Sequence, residues 1–204
     1  MAYVGCETDP FIGEAPSPLR RGAFVPFLSF PFAIKVTIMA HRRFHYDAAF
    51  EHYLRAKTIP YVVVDEARKA LHGQVKLKSF DFVVYGSKGD NLLVDVKGRK
   101  HTGRSHKHFD NWVTEDDIES LRRWEQVFGE GFIATFVFLY WCEAQPPDAL
   151  FHEVFELRDR WYAVLAISVK DYADHMTMRS PKWKTVNLPA EDFARLSRPL
   201  TQLI

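Results

Sequence analysis

Residues 79–97 read Ser-Phe-Asp-Phe-Val-Val-Tyr, then Gly-Ser-Lys-Gly-Asp-Asn, then Leu-Leu-Val-Asp-Val-Lys. Two β-branched and aromatic runs around a turn rich in Gly, Asp and Asn predict a long β-hairpin. A turn centred near Lys88 sets Asp81 opposite Asp95 and Val83 opposite Leu93. Side chains alternate faces along a strand, so Lys97 shares the face of Asp95 while Val94 and Val96 point the other way. Two carboxylates and an ammonium therefore converge on one spot. Like charges that face each other across a strand pair destabilise it unless something compensates, and a divalent cation is the natural compensator. The plain alternative is a surface hairpin whose outer face carries these three charges.

That grouping suits phosphodiester chemistry. Mg²⁺ is a hard ion, held by one or two carboxylates together with water and substrate phosphate. Once bound, such an ion lowers the pKa of a water and offsets charge building on the phosphate. A neighbouring Lys orients that water or stabilises the developing charge.

Upstream, apolar residues at 46, 49, 50, 53 and 54 predict an amphipathic helix over Tyr46–Lys57, with Asp47 and Glu51 one turn apart on its flank. The helix should stop near Thr58, because Pro60 cannot continue it and disfavours helical geometry at Ile59. Residues 61–64 then read as a short buried strand. Downstream, Thr114 precedes three acids and an apolar stripe at Ile118, Leu121, Trp124 and Phe128, which predicts a capped helix stopping at Gly129. Residues 132–141 are apolar throughout, the mark of a strand covered on both faces and central in its sheet.

With this order in view, the chain resembles the PD-(D/E)XK nuclease superfamily, most closely its small members such as archaeal Holliday-junction resolvases. Asp81 matches the first acid of the motif, Asp95 and Lys97 match its (D/E)-x-K element, and Glu51 matches the acid that many members carry on the first helix. Ser79-Phe80 stand where the motif's Pro would precede Asp81, a departure shared by many relatives. The resemblance covers roughly residues 44–141. It implies an α/β, restriction-endonuclease-like fold: a mixed sheet between helices, in the order helix, three strands, helix, strand. It also implies Mg²⁺- or Mn²⁺-dependent cleavage of nucleic acid, DNA ahead of RNA, and is compatible with a homodimer. Asp81, Asp95, Glu51 and the Val96 carbonyl would serve the metal, and Lys97 the attacking water. A relative that kept the fold and lost the chemistry is the competing reading, as a nucleic-acid-binding or structural protein.

Net charge is only +1, so any electrostatic footprint for nucleic acid has to be local. Residues 97–108 hold five Lys/Arg, three His and no acid, in a composition that reads as a loop beside the proposed site. Arg99, Lys100, Arg104 and Lys107 are the expected phosphate contacts there. His101, His106 and His108 lack Cys or acidic partners at zinc-ligand spacing. Lys182, Trp183 and Lys184 lie in a second basic stretch, read as a loop suited to phosphate contacts and base stacking.

A β-hairpin over residues 151–167, a short helix over 169–175 and a last helix between Pro189 and Ser197 complete the expected order as a C-terminal addition. Two cysteines, Cys6 and Cys142, give no disulfide framework and favour a reducing compartment, taken as the cytoplasm. Residues 1–38 carry five prolines and no periodic apolar face. They are expected to be a poorly ordered leader, or an over-extended start ahead of Met39, before a single domain over 39–204. Prolines and Lys35 argue against a membrane span there.

Overall fold

The computed structural model describes residues 44–64, 70–72, 75–87, 89–102, 109–143 and 153–204. Expectations for the leader, Arg104, Lys107, His106 and His108 lie outside the described residues. Helix α1 (Phe44–Ala56) buries Ala49, Phe50, Tyr53 and Leu54, four of the five positions of its apolar stripe. It ends at Ala56, and Thr58, with a φ of 55°, turns the chain into Pro60.

Strand β1 (Tyr61–Val63) follows, then a small ribbon of β2 (Ala70–His72) and β3 (Val75–Leu77), which sequence reading missed. Next come β4 (Phe82–Val84), β5 (Asn91–His101), β6 (Val113–Thr114), α2 (Glu115–Phe128) and β7 (Phe132–Cys142). The chain closes with β8 (Val154–Glu156), β9 (Trp161–Ser168), α3 (Val169–His175), β10 (Thr177–Ser180), β11 (Thr185–Asn187), α4 (Ala190–Leu196) and a 3₁₀ turn at Leu200–Gln202. The main sheet has the order β1-β4-β5-β7-β9-β8. Its β5–β7 pair is parallel and its other pairs are antiparallel, so this is a mixed α/β sheet flanked by helices, as expected. The succession from α1 to β7 follows the expected order of helix, three strands, helix and strand, with the β2–β3 ribbon and the two-residue β6 added. No described helix is long and apolar enough to cross a membrane.

The sheet separates two apolar layers. On one face α1 packs its stripe against Phe82, Val84, Leu92, Val94, Val137 and Leu139. On the other, Ile118 and Leu121 of α2 and Tyr172 of α3 meet Val83, Leu93, Phe136 and Phe138. Strand β7 is apolar on both sides because it is the strand that both layers cover. Alternation along β5 then dictates that Asp95 and Lys97, in phase with Leu93, belong to the α2 face.

Three expectations need correction. Strand β1 is an exposed edge among the described residues, with Val62 50% and Val63 54% accessible, because β4 covers one side of it and no described strand the other. The stretch from Lys97 to His101 is strand rather than loop: the apolar run of β7 offers a parallel partner up to His101↔Cys142, which overrides the basic composition. Met178–Thr185 is likewise no open loop but the end of β10, a turn and the start of β11, in a three-stranded sheet of order β10-β11-β6.

Gly98 marks where α1 comes closest to β5. A Cβ there would lie 2.2 Å from the Tyr46 ring. Gly98→Ala should therefore push α1 off the sheet and cost about 1–3 kcal/mol. That predicts a thermal midpoint about 3–10 °C lower, and an unchanged midpoint would show that Tyr46 swings aside freely.

Candidate active site

The expected hairpin register is present, with Val83 opposite Leu93, but the ladder ends at Phe82↔Val94. β4 has three residues and β5 eleven, so beyond Val94 the backbone of β5 loses its β4 partner. Asp81 takes over that position. Its N–H donates to the Val94 carbonyl at 2.8 Å and its carbonyl accepts from Val64 N–H at 2.9 Å. Its side-chain Oδ2 accepts from Val96 N–H at 2.6 Å, so the carboxylate substitutes for the missing strand. A strand residue's N–H and C=O point to the same side, so the Val96 carbonyl faces the same gap.

Asp95 lies on the α2 face beside this gap. Its Oδ2 receives Lys97 Nζ at 2.7 Å, and Asp117 Oδ2 stands 3.3 Å from the same ammonium. Asp81 and Asp95 are 7% and 8% accessible, so these charges sit in a poorly hydrated place. Burial alone would lower the Lys97 pKa, but Asp95 and Asp117 together carry it above its ordinary value, and the ammonium stays charged.

Asp117 was read from the sequence only as one acid of a helix start. It is the N3 residue of a capping box on α2, with Thr114 Oγ1 accepting from its N–H and its own carboxylate accepting from Thr114 N–H. The cap aims the carboxylate outward: Oδ2 meets Lys97 and Oδ1 meets Lys78 Nζ at 3.1 Å. Burial works to raise the Asp117 pKa, yet Lys97, the Thr114 hydrogen bonds and Lys78 hold it down to about 2. The Thr-x-x-Asp spacing was legible, but no sequence signal ties it to Lys97, because that contact crosses from helix to sheet.

Glu51 is placed differently. Its Oε1 pairs with Arg55 and accepts from the Tyr61 hydroxyl at 2.7 Å, tying α1 to the start of β1. It rides on the helix that covers the face opposite Asp95 and Lys97, so the structure groups Asp81, Asp95, Lys97 and Val96 without it. Among the described residues, no set of three or more His, Cys, Asp or Glu side chains is arranged to hold a metal. The Asp81 and Asp95 carboxylates and the Val96 carbonyl are oxygen donors of the kind Mg²⁺ takes when water and phosphate complete its shell. The residues present fit such an ion.

The expected phosphate contacts divide. Arg99 is largely enclosed, donating to the Trp112 carbonyl and standing 4.3 Å from the centre of the Trp112 ring. Burial lowers its pKa, and its role here is to bind β5 to the segment before β6. Lys100 pairs with Glu143 at 2.5 Å on the other face. His101 is buried against Phe109 and Tyr140. Lys182, Trp183 and Lys184 form the tip between β10 and β11, where the Lys184 carbonyl accepts from Glu115 N–H at 3.0 Å. This brings the tip to the N-terminus of α2, next to Asp117.

No protein-family description and no curated protein sequence matches the chain. Among solved structures it is similar to Hjc, a Holliday junction resolvase from Archaeoglobus fulgidus, at 13% identity and a TM-score of 0.46. The match covers 78% of this chain and 97% of that one. At that distance it is a likeness of outline, and the functional reading rests on the residues described above.

Proposed function

We propose that the chain is a metal-dependent nuclease that hydrolyses phosphodiester bonds in nucleic acid, DNA ahead of RNA. One observation carries the reading: where β4 stops, Asp81, Asp95, Lys97 and the Val96 carbonyl gather beside one gap. Asp81, Asp95 and Val96 would hold Mg²⁺ or Mn²⁺, which when bound supplies a more acidic water and positive charge toward the phosphate. The chain's own contribution is orientation. Val96 N–H fixes the Asp81 carboxylate, Asp117 keeps hold of Lys97, and Lys97 presents a charged ammonium to the attacking water or the phosphate oxygens.

The test is a cleavage screen over single-stranded, duplex and branched DNA and RNA, with Mg²⁺ and with EDTA. Cleavage in Mg²⁺ that EDTA abolishes is the expected result. The pairing of Asp95 with Lys97 favours one competing reading, a binding or structural protein whose charges satisfy each other, and cleavage of nothing in the screen would select it. Lys97→Ala should lower the single-turnover rate at saturating substrate by about 10²–10³-fold while leaving affinity within a few-fold. A variant that loses affinity instead of rate would make Lys97 a phosphate anchor.

A further inference from the structure

Beside the catalytic gap, the β10–β11 tip and the segment before β6 enclose a groove of about 520 Å³. Trp112, Thr114, Arg179, Ser180, Trp183 and Thr185 line it, and none of these described residues is acidic. Trp183 is 70% accessible, so its indole contributes little to any core. The Lys182 ammonium lies 5.4 Å from the centre of that ring, and Arg179 lies 5.2 Å from the ring of Trp112. The tip is held at a conformational cost: Lys184 has a φ of 46°, in the left-handed region that non-glycine residues avoid. That geometry accompanies the carbonyl contact that ties the tip to Glu115.

Groove and catalytic gap are joined by short contacts. Thr114 on the groove wall accepts from Asp117 N–H at 3.1 Å, and Asp117 is 3.3 Å from Lys97 Nζ. A strand whose phosphate lay at Lys97 would reach Trp183 within a few nucleotides, at about 3.4 Å per stacked step. Exposed indole beside cations is the chemistry that stacks a nucleobase and holds the phosphates on either side of it. A base pair inside a duplex offers no free face for this, since its neighbours occupy both, and a blunt duplex exposes only the outer faces of its two terminal pairs.

We infer that this groove is a stacking subsite for an unpaired nucleotide, with Trp183 as its platform and Arg179 and Lys182 as its phosphate contacts, so that the substrate carries single-stranded nucleotides next to the cut. The inference rests on the nuclease reading only for where the cut lies; the stacking itself needs no metal.

The experiment measures binding in EDTA of a fluorescently labelled oligothymidylate and of a blunt duplex of equal length. Wild type, Trp183→Ala and Trp183→Phe are compared by anisotropy. Trp183→Ala should weaken the single strand about tenfold and leave the duplex unchanged, while Trp183→Phe keeps most of the affinity. No measurable single-strand binding by wild type overturns the inference. So does an unchanged affinity in Trp183→Ala, or an equal loss for both ligands. A change in sedimentation of Trp183→Ala without a change in affinity overturns it as well, and assigns the groove to contact between copies of the chain. The two readings fail separately. A Trp183 effect without Mg²⁺-dependent cleavage removes the nuclease and keeps the subsite, and cleavage without a Trp183 effect does the reverse.

Discussion

Asp95→Asn should abolish cleavage, with a fall of at least about 10³-fold, and should leave the fold in place. The change removes one negative charge from a two-carboxylate donor set and leaves its shape. Sequence reasoning adds that the metal-free protein should stay largely intact or even gain stability, because facing carboxylates repel. The structure removes the expected gain. The Asp81 carboxylate accepts from the Val96 amide and Asp95 is paired with Lys97, so the repulsion is already partly offset and the Asn variant gives up an ion pair. A small loss is expected, about 1 kcal/mol or less, because Lys97 keeps Asp117 and the Asn oxygen still accepts from it. Mg²⁺ gives a second readout that needs no activity. Binding to the folded state alone raises wild-type stability by mass action, and the Asn variant should lose that increment. Full activity, or an undiminished Mg²⁺ effect on the melting midpoint, would remove Asp95 from the metal.

Asp117→Asn should cost about 2 kcal/mol at neutral pH and almost nothing at pH 2. The Asp117 carboxyl falls from 3.8 to about 2 on folding, and with a side chain only 12% accessible that depression converts to roughly 2 kcal/mol. The sign follows from linkage. A group whose pKa is depressed on folding contributes fully above its unfolded value, and the contribution fades as pH drops through the folded one. The window therefore runs from about pH 4 down to about pH 2. Urea melts of wild type and Asp117→Asn across that range should converge as the acid is protonated. Parallel curves at all pH values would mean that Asp117 is not coupled to Lys97 and Lys78. Thr114→Ala is the companion variant: it removes the cap, at about 1 kcal/mol, but leaves the carboxylate ionised.

Much of the architecture follows from local rules. The stops at Thr58 and Gly129, the Thr114 cap and the apolar run of β7 each rest on residues close in sequence. So does the hairpin register, set by alternation and turn chemistry. The same register predicts Asp81 opposite Asp95, with Lys97 on the Asp95 face, and the observed ladder runs as far as Phe82↔Val94, one residue short of that pair. Local signals failed where a distant partner decided the outcome. Basic composition read as loop from Lys97 to His101, but β7 made it strand. Glu51 pairs with Arg55 one turn along its own helix, but only the packing of α1 beside β1 brings the Tyr61 hydroxyl to the same carboxylate. Arg99 reads as a phosphate contact until Trp112 is placed against it. Asp117 reaches Lys97 only because the N-terminus of α2 docks at the end of a strand that stops early. Sequence by itself determined α1, the β4–β5 hairpin, α2 and β7 and the face that Asp95 and Lys97 share, because periodicity and turn preferences act over a few residues. The tertiary structure alone decided that Asp117 shares Lys97 with Asp95 and that the Trp183 tip meets the start of α2, because those contacts join residues far apart in sequence and depend on how the elements pack.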